Sequence, residues 1–304
     1  MIFYKGDHLA YRYSISSLLG MGTFGTVCRA FDHKTKEFVA IKVIRNAKEF
    51  TEQGKLEIKI LKILKDTTGV IKMKRHFLFR GHICLVFELL DSTLYDTLKA
   101  QWFKGFELTS IRNVAGQVLK ALHYIRRSGI IHSDLKPENI MLYHDRKVQI
   151  IDFGSACFVN DKLHRYVQSR FYRAPEVILG LKYSTHVDMW SFGCIIYELR
   201  TGKPLFNGNN EFEQILLFVE TLGLPPSDLL KRARDKRKFF DEDDRLKTGK
   251  LSSGRTIVPG ERSIRTLLKG EDDDFIDLIC RCLTWVPEER IKPRNCIAHQ
   301  FFKI

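Results

Sequence analysis

The chain has 304 residues, 44% of them hydrophobic and 28% charged, with a net charge of +14. That composition excludes a disordered, collagen-like or disulfide-scaffold protein, and the length suits one large domain or two intimate lobes. No apolar run approaches the roughly 20 residues that span a bilayer, and the opening Met1-Ile2-Phe3-Tyr4-Lys5-Gly6-Asp7 has neither a charged n-region nor an apolar core, so neither a membrane helix nor a signal peptide is expected.

In chain order, strand-like segments at 13–19, 27–31 and 38–44 precede a helix over 49–65 and two further strands at 71–79 and 83–87. A short link, 88–92, leads into a mainly helical part. Its clearest helices are 109–127, with Thr109 placed as a cap, and 188–201, stopped by Gly202. The stretch 241–261 has little periodicity and reads as a surface loop within an insertion. The basic run Lys231, Arg232, Arg234, Lys236, Arg237, Lys238 reads first as a solvated helix face and second as a nuclear-import or docking patch.

Seven scattered cysteines, odd in number, fit reduced thiols in the cytoplasm or nucleus. Cys280 and Cys282, with Cys296 and His299 further on, have some zinc-like spacing. Residues two apart on a helix point about 200° apart, so packed helical thiols are expected instead.

Gly20-Met21-Gly22-Thr23-Phe24-Gly25-Thr26-Val27 fits G-x-G-x-x-G-x-V and lies between two strands with no helix directly after it. That context excludes a dinucleotide fold and leaves a glycine-rich hairpin whose backbone N–H groups can approach a triphosphate. Val39-Ala40-Ile41-Lys42 places a lysine on the next strand but one, within reach of α- and β-phosphates. Its partner is expected on the following helix. Among Glu49, Glu52 and Glu57 the mid-helix Glu57, between Leu56 and Ile58, is favoured, because acids at a helix start ordinarily complement the dipole.

Three acid-bearing motifs follow: His132-Ser133-Asp134-Leu135-Lys136-Pro137-Glu138-Asn139, Asp152-Phe153-Gly154 and Ala174-Pro175-Glu176. Together they meet the needs of phosphoryl transfer, which asks for positioning and charge neutralisation around a triphosphate. Asp134 is the expected base for the acceptor hydroxyl, and Lys136 would neutralise the transferring phosphate. Asn139 and Asp152 offer hard oxygen ligands for Mg²⁺. The adenine of ATP is expected between Leu19, Val27 and Ala40 above and Met141 and Ile151 below, with Phe87 at the back and the backbone of Glu88 and Leu90 along its edge. Glu176 and Arg290 are expected to form a buried ion pair, and Asp188, opening its helix, to bond backbone of the catalytic loop.

These residues resemble the eukaryotic protein kinases over almost the whole chain. Ser169-Arg170-Phe171-Tyr172-Arg173-Ala174-Pro175-Glu176 and an insertion at about 204–270 are similar to the CMGC group. Tyr166-Val167-Gln168-Ser169, Asp152-Phe153-Gly154-Ser155 and Leu85-Val86-Phe87-Glu88-Leu89-Leu90 resemble the dual-specificity tyrosine-phosphorylation-regulated kinases (DYRK), and His8-Leu9-Ala10-Tyr11-Arg12-Tyr13 and Ala30-Phe31-Asp32-His33-Lys34 the second class of that family.

The resemblance implies an α+β, two-lobed fold: a small β-rich N-lobe with one main helix over 1–88, and a larger, mainly α C-lobe over 89–304. It implies transfer from ATP, with Mg²⁺, to serine and threonine of proteins, with a tendency for Pro after the target and often Arg before it. It also implies self-phosphorylation of Tyr166, the phosphate then gripped by Arg170 and Arg173. Second-class members use an N-terminal accessory region in that step, and this chain is read as beginning just before the catalytic domain. A monomer is expected.

Two departures stand out. His164 replaces a tyrosine that many relatives carry two residues before Tyr166. Ser133 stands where most kinases have Arg and this family usually Cys, which implies a one-time tyrosine event rather than a reversible phosphothreonine switch. A catalytically silent nucleotide-binding scaffold is the competing reading, opposed by the presence of Lys42, Asp134, Asn139 and Asp152 together. No nucleic-acid recognition motif or aromatic-basic interleaving appears, so specific nucleic-acid binding is not expected.

Overall fold

The structure, a computed structural model, describes residues 4–144, 147–161 and 166–303. It is α+β, with a sheet-built N-terminal lobe and a helical C-terminal lobe. Six antiparallel strands, β1 (His8–Leu9), β2 (Tyr13–Met21), β3 (Gly25–Asp32), β4 (Glu37–Ile44), β5 (Met73–Phe79) and β6 (His82–Glu88), pair in the order β1-β2-β3-β4-β6-β5. Alternation explains both faces. Ile41, Val43, Cys84 and Val86 pack with Tyr13, Ile15 and Cys28 in a small outer core, while Ile83, Leu85 and Phe87 turn towards helix α1 (Lys48–Ile63). Gly25 is required where it is, because a Cβ there would collide with the carbonyl of Val43.

Helix α1 buries Glu57, Ile60 and Leu61 against the sheet and exposes the opposite side. The segment after it is anchored to the other lobe, with Ile71 N donating to Ile150 O (3.0 Å) and Ile150 N to Gly69 O (2.8 Å). A single hydrophobic core then runs from α1 through Phe87 and Leu90 into the helical lobe.

Short strand β7 (Ser92–Thr93) and helix α2 (Leu94–Ala100) follow, the helix started by a capping box between Thr93 and Asp96. Helix α3 (Leu108–Arg127) starts a residue earlier than its sequence suggests, and Glu107, not Thr109, holds the cap position without a side-chain bond. The physical reason lies upstream: Phe106 is buried and its N–H donates to Leu199 O at 2.6 Å, which fixes the direction of entry. Four more short strands, β8 (Ile130–Ile131), β9 (Ile140–Tyr143), β10 (Lys147–Ile150) and β11 (Cys157–Phe158), form small ladders that carry the site: β9 pairs with β7 and β10, and β8 with β11.

A short helix, α4 (Pro175–Ile178), leads to α5 (His186–Thr201), buried on all sides and closed by Gly202 in the left-handed conformation that favours glycine. Asp188 lies within the first turn of α5 rather than opening it. Helices α6 (Glu211–Leu222), α7 (Ser227–Arg232), α8 (Ile264–Leu267), α9 (Asp273–Cys282) and α10 (Pro293–Ile297) complete the lobe. Residues 241–261 hold no helix or strand, only isolated bridges, Phe240–Leu246 at the start and Lys250–Thr256 within.

The basic run at 231–238 is largely neutralised on the spot: Lys231 pairs with Asp228, Arg234 and Lys238 with Asp235, and Lys236 with Asp244. Cys282 and Cys296 are fully buried beside each other, whereas His299 turns to Asp277 at 2.9 Å.

Candidate active site

Three elements converge at the cleft between the lobes. From β4, Lys42 reaches Glu57 of α1 at 2.7 and 2.9 Å and Asp152 at 2.7 Å. Burial alone would lower the pKa of this ammonium, but the two carboxylates more than offset it and the pKa is raised. Glu57 shares its one cation with Asp152, and burial pushes its carboxyl up. For Asp152 burial works the same way, yet Lys42 and the N–H of Gly154 outweigh it and hold the carboxyl at about 2. Asp152 is in the left-handed region, φ 57°, a strained choice for aspartate that turns its carboxylate towards Lys42.

Asp134 is held from both sides. Its Oδ1 accepts from Ser169 N (3.0 Å) and Ser169 Oγ (2.7 Å); its Oδ2 accepts from Lys136 Nζ (2.8 Å) and Asn139 Nδ2 (3.2 Å). Lys136 Nζ also donates to Ser169 Oγ at 3.0 Å, and Asn139 Nδ2 to the carbonyl of Asp134 at 2.8 Å. The loop beneath is fixed by Asp188, which accepts from the N–H groups of His132 (2.9 Å) and Ser133 (3.1 Å). His132 bonds Ile151 O at 3.0 Å and meets the buried Phe153 ring edge-on.

With its amide N–H₂ spent on Asp134, Asn139 leaves Oδ1 without a hydrogen bond among the described residues, and Asp152 leaves Oδ2. Two hard oxygens and no third protein ligand suit Mg²⁺, which keeps positions for substrate phosphates and water; no group of three or more candidate ligands occurs among the described residues.

The glycine-rich turn folds over this cluster. Phe24, at its tip, stands edge-on to Phe50 of α1 with Lys42 Nζ 6.0 Å from its ring. Leu19 and Met21 are exposed, Gly20, Gly22, Thr23, Thr26 and Val27 lie along the same hairpin, and Ala40 sits across from Phe87 in the β4–β6 ladder. Met141 pairs with Thr93, and Ile151 N donates to Asn139 O at 2.9 Å, so the apolar floor is continuous with the acid cluster. Glu88 and Leu90 follow β6 at the junction of the lobes, Leu90 buried.

Tyr166 is exposed, and the guanidinium of buried Arg173 lies 3.7 Å from the centre of its ring. Arg173 is otherwise bonded to Glu211 (2.8 Å) and to the carbonyls of Val167 (2.9 Å) and Gln168 (2.8 Å). Arg170 donates to Asn209 O at 2.5 Å. His164 lies outside the described residues. Glu176 and Arg290 form the expected pair, two 2.6 Å bonds with neither side chain exposed.

Three residues of this neighbourhood carry no role in the sequence reading, although Gln168 and Ser169 stand within motifs quoted above. Ser169 bridges Asp134 and Lys136. Gln168, buried and left-handed at φ 65°, donates its N–H to Ser133 O (2.8 Å) and its amide to Tyr172 O, Val187 O and Ser191 Oγ. Glu198 of α5 accepts from Tyr172 OH.

The protein kinase domain family matches residues 13–302. The chain is 46% identical over 304 residues to dual specificity tyrosine-phosphorylation-regulated kinase 2 of Drosophila melanogaster, covering 98% of this chain and 42% of that protein. It is 44% identical to serine/threonine-protein kinase ppk5 of Schizosaccharomyces pombe (98% and 36%) and 44% identical to dual specificity tyrosine-phosphorylation-regulated kinase 4 of Homo sapiens (96% and 58%). The chain thus spans between about a third and three-fifths of the length of these relatives.

Proposed function

Since the chain belongs to the protein kinase family, we propose that it transfers the γ-phosphate of ATP to serine and threonine of other proteins, and to its own Tyr166. The observation that carries this reading is the cluster in which Lys42, bonded to Glu57 and Asp152, stands beside Asp134, Lys136 and Asn139. A silent scaffold would have no need of a carboxylate held at both oxygens within reach of an acceptor.

Each residue has a part that its geometry supports. Lys42, kept charged and held by Glu57, anchors the α- and β-phosphates. Asp134 orients the acceptor hydroxyl and takes its proton, while Lys136 steadies charge on the transferring group. Mg²⁺ would be held by Asn139 and Asp152 and would neutralise charge between the phosphates. The adenine would lie between Leu19, Val27, Ala40, Met141 and Ile151, in front of Phe87, with the backbone of Glu88 and Leu90 at its edge. We read the whole chain as one kinase domain whose lobes meet at Glu88, with the 204–270 segment as its insertion.

The finer substrate preference belongs to the same proposal. Exposed Glu138, beside Asn139 on the same loop as Asp134, supports a cation, Arg, before the target residue, whereas Glu198 is buried and bonded to Tyr172. A Pro-directed tendency, a monomeric state and residence in the cytoplasm or nucleus are further parts of it. The seven free thiols support the last, and no described helix is long and apolar enough to cross a membrane.

The test is transfer of labelled phosphate from Mg²⁺-ATP to serine peptides with and without Arg before and Pro after the serine, beside Asp134→Asn, with mass spectrometry of Tyr166. Transfer by the wild type only, together with unimpaired ATP binding by Asp134→Asn, is the expected result. Equal transfer by both proteins would remove Asp134 from its role, and none by either would favour the scaffold.

A further inference from the structure

The excess positive charge is concentrated at one end. Residues 1–88 hold 16 Lys and Arg against 8 Asp and Glu, a net +8 of the total +14. Part of this charge is ordered. Lys55, Lys59 and Lys62 are exposed and follow one another on α1 at spacings of four and three, which places them on one face. At 100° per residue that face is opposite Glu57 and Leu61. Glu52, the one acid among them, is tied to Lys55 at 2.8 Å. Lys59 lies over the Phe158 ring at 5.0 Å, and Lys62 enters no ion pair among the described residues.

Edge strand β5 runs beside this helix. Its register, His76 opposite Leu85 and Leu78 opposite Ile83, turns His76 and Leu78 to the sheet face that α1 covers, because cross-strand partners share a face. The lysine row is felt there: partial burial and then the charges of Lys62 and Arg75 hold the His76 pKa below its ordinary value.

Two apolar side chains stand uncovered in this basic setting. Ile63, four residues after Lys59 and on the same face of α1, is 48% exposed, and Leu78 is 72% exposed. Lysine on an edge strand is ordinary protection against edge pairing, but α1 is not an edge. A row of solvated lysines would likewise not need Ile63 and Leu78 beside it.

We propose that the face formed by Lys55, Lys59, Lys62 and Ile63 of α1 with His76 and Leu78 of β5 docks an acidic segment of a partner protein. Its carboxylates lie along the lysine row and its apolar side chains cover Ile63 and Leu78. Charge complementarity selects an acidic occupant. The two aliphatic anchors select a polypeptide over nucleic acid, whose phosphates would use the cations alone and whose bases would call for exposed aromatic rings.

The test uses a labelled synthetic helix bearing glutamates and two leucines on one face, a control in which serine replaces the leucines, and a short DNA duplex, with binding followed by fluorescence anisotropy. At about 0.1 M salt, where screening is still moderate, Lys55→Glu/Lys62→Glu is expected to weaken the leucine helix about tenfold. Ile63→Ser/Leu78→Ser is expected to weaken it about fivefold and to leave duplex binding unchanged. Melting temperature and basal phosphate transfer should match wild type in both variants. The proposal is overturned if no acidic helix binds, if either variant binds it as wild type does, if the serine control binds as well as the leucine helix, or if the duplex binds more tightly than the helix.

Discussion

Tyr172, in the segment before α4, donates its hydroxyl to Glu198 of the buried helix α5 across 2.7 Å, and Glu138 of the catalytic loop lies near enough for its charge to act on both. Burial first, and then Glu138, push the Glu198 carboxyl up to about 7 against the pull of the tyrosine hydroxyl. A carboxyl raised in the folded state binds more protons folded than unfolded. Its contribution is therefore intact below the ordinary glutamate range and is lost as pH rises to about 7. Glu198→Gln keeps an acceptor for Tyr172 without the charge. Its melting temperature should rise relative to wild type between pH 5 and 8, by an amount worth about 1–3 kcal/mol. Parallel melts across that range check this; a constant offset would mean that Glu198 does not titrate there.

Lys42→Met leaves Glu57 and Asp152 facing each other without their cation. Phosphate transfer is expected to fall by on the order of a hundredfold or more, with a stability loss of about 3 kcal/mol. The stability loss should shrink as pH is lowered and a proton replaces the missing ammonium. Denaturant melts at pH 5.5 and 7.5 would show this, and a pH-independent deficit would argue against carboxylate repulsion as its cause.

Ser169→Ala removes the hydroxyl shared by Asp134 and Lys136, while the Ser169 N–H bond to Asp134 remains. The expected effect is a fall of about tenfold in kcat with KM for ATP unchanged, since the bond positions Asp134, the proposed base, and not the nucleotide. Ser169→Thr should restore most of the loss. If KM for ATP rises instead, Ser169 acts through the fold of the cleft.

Arg290→Leu strands the fully buried Glu176 and should cost about 3–5 kcal/mol, read as a drop in denaturation midpoint. Arg290→Lys should recover little, because a single ammonium cannot reproduce the two 2.6 Å bonds and the further bonds to Thr284 O and His186 O. Full recovery by lysine would show that charge alone matters at this position.

Tyr166→Phe keeps the ring that Arg173 covers and removes only the hydroxyl. The variant is expected to melt with unmodified wild type and below the tyrosine-phosphorylated protein, because a phosphate adds charge-assisted bonds to arginine. Mass spectrometry of each preparation, paired with its melt, decides the matter; equal melting of modified and unmodified protein would leave the arginines without that role.

The sequence makes the acid cluster legible because each of its members sits in a short motif, and Lys42 could be matched to Glu57 because only a mid-helix acid faces the sheet. Strand positions were readable from alternation to within a few residues. Ser169, Gln168 and Glu198 were not readable, for a common reason. Apart from bonds within their own segment, such as Gln168 to Tyr172 O, their partners lie 19 to 35 residues away, as with Ser169 and Asp134 or Tyr172 and Glu198, and the motif that holds Gln168 and Ser169 does not say which distant loop they bind. The left-handed backbone of Gln168 has no compositional sign either, since glutamine is not a residue that seeks it. Thr109 misled for the converse reason: a good capping residue is idle where a buried neighbour, Phe106, has already set the helix start.

Gln168 has one more consequence. Through its backbone it hangs from the catalytic loop, and through its amide it is bolted to α5 and to the residues leading into α4. The segment that begins at Asp152 is therefore a span with several supports among the described residues: Asp152 itself, the β8–β11 ladder at Cys157–Phe158, and Gln168. Tyr166 stands two residues from the last of these supports. A phosphate there would act as a mason's wedge at the footing, tightening the support on which Ser169 and Asp134 already rest, rather than as a latch that swings the span from one position to another.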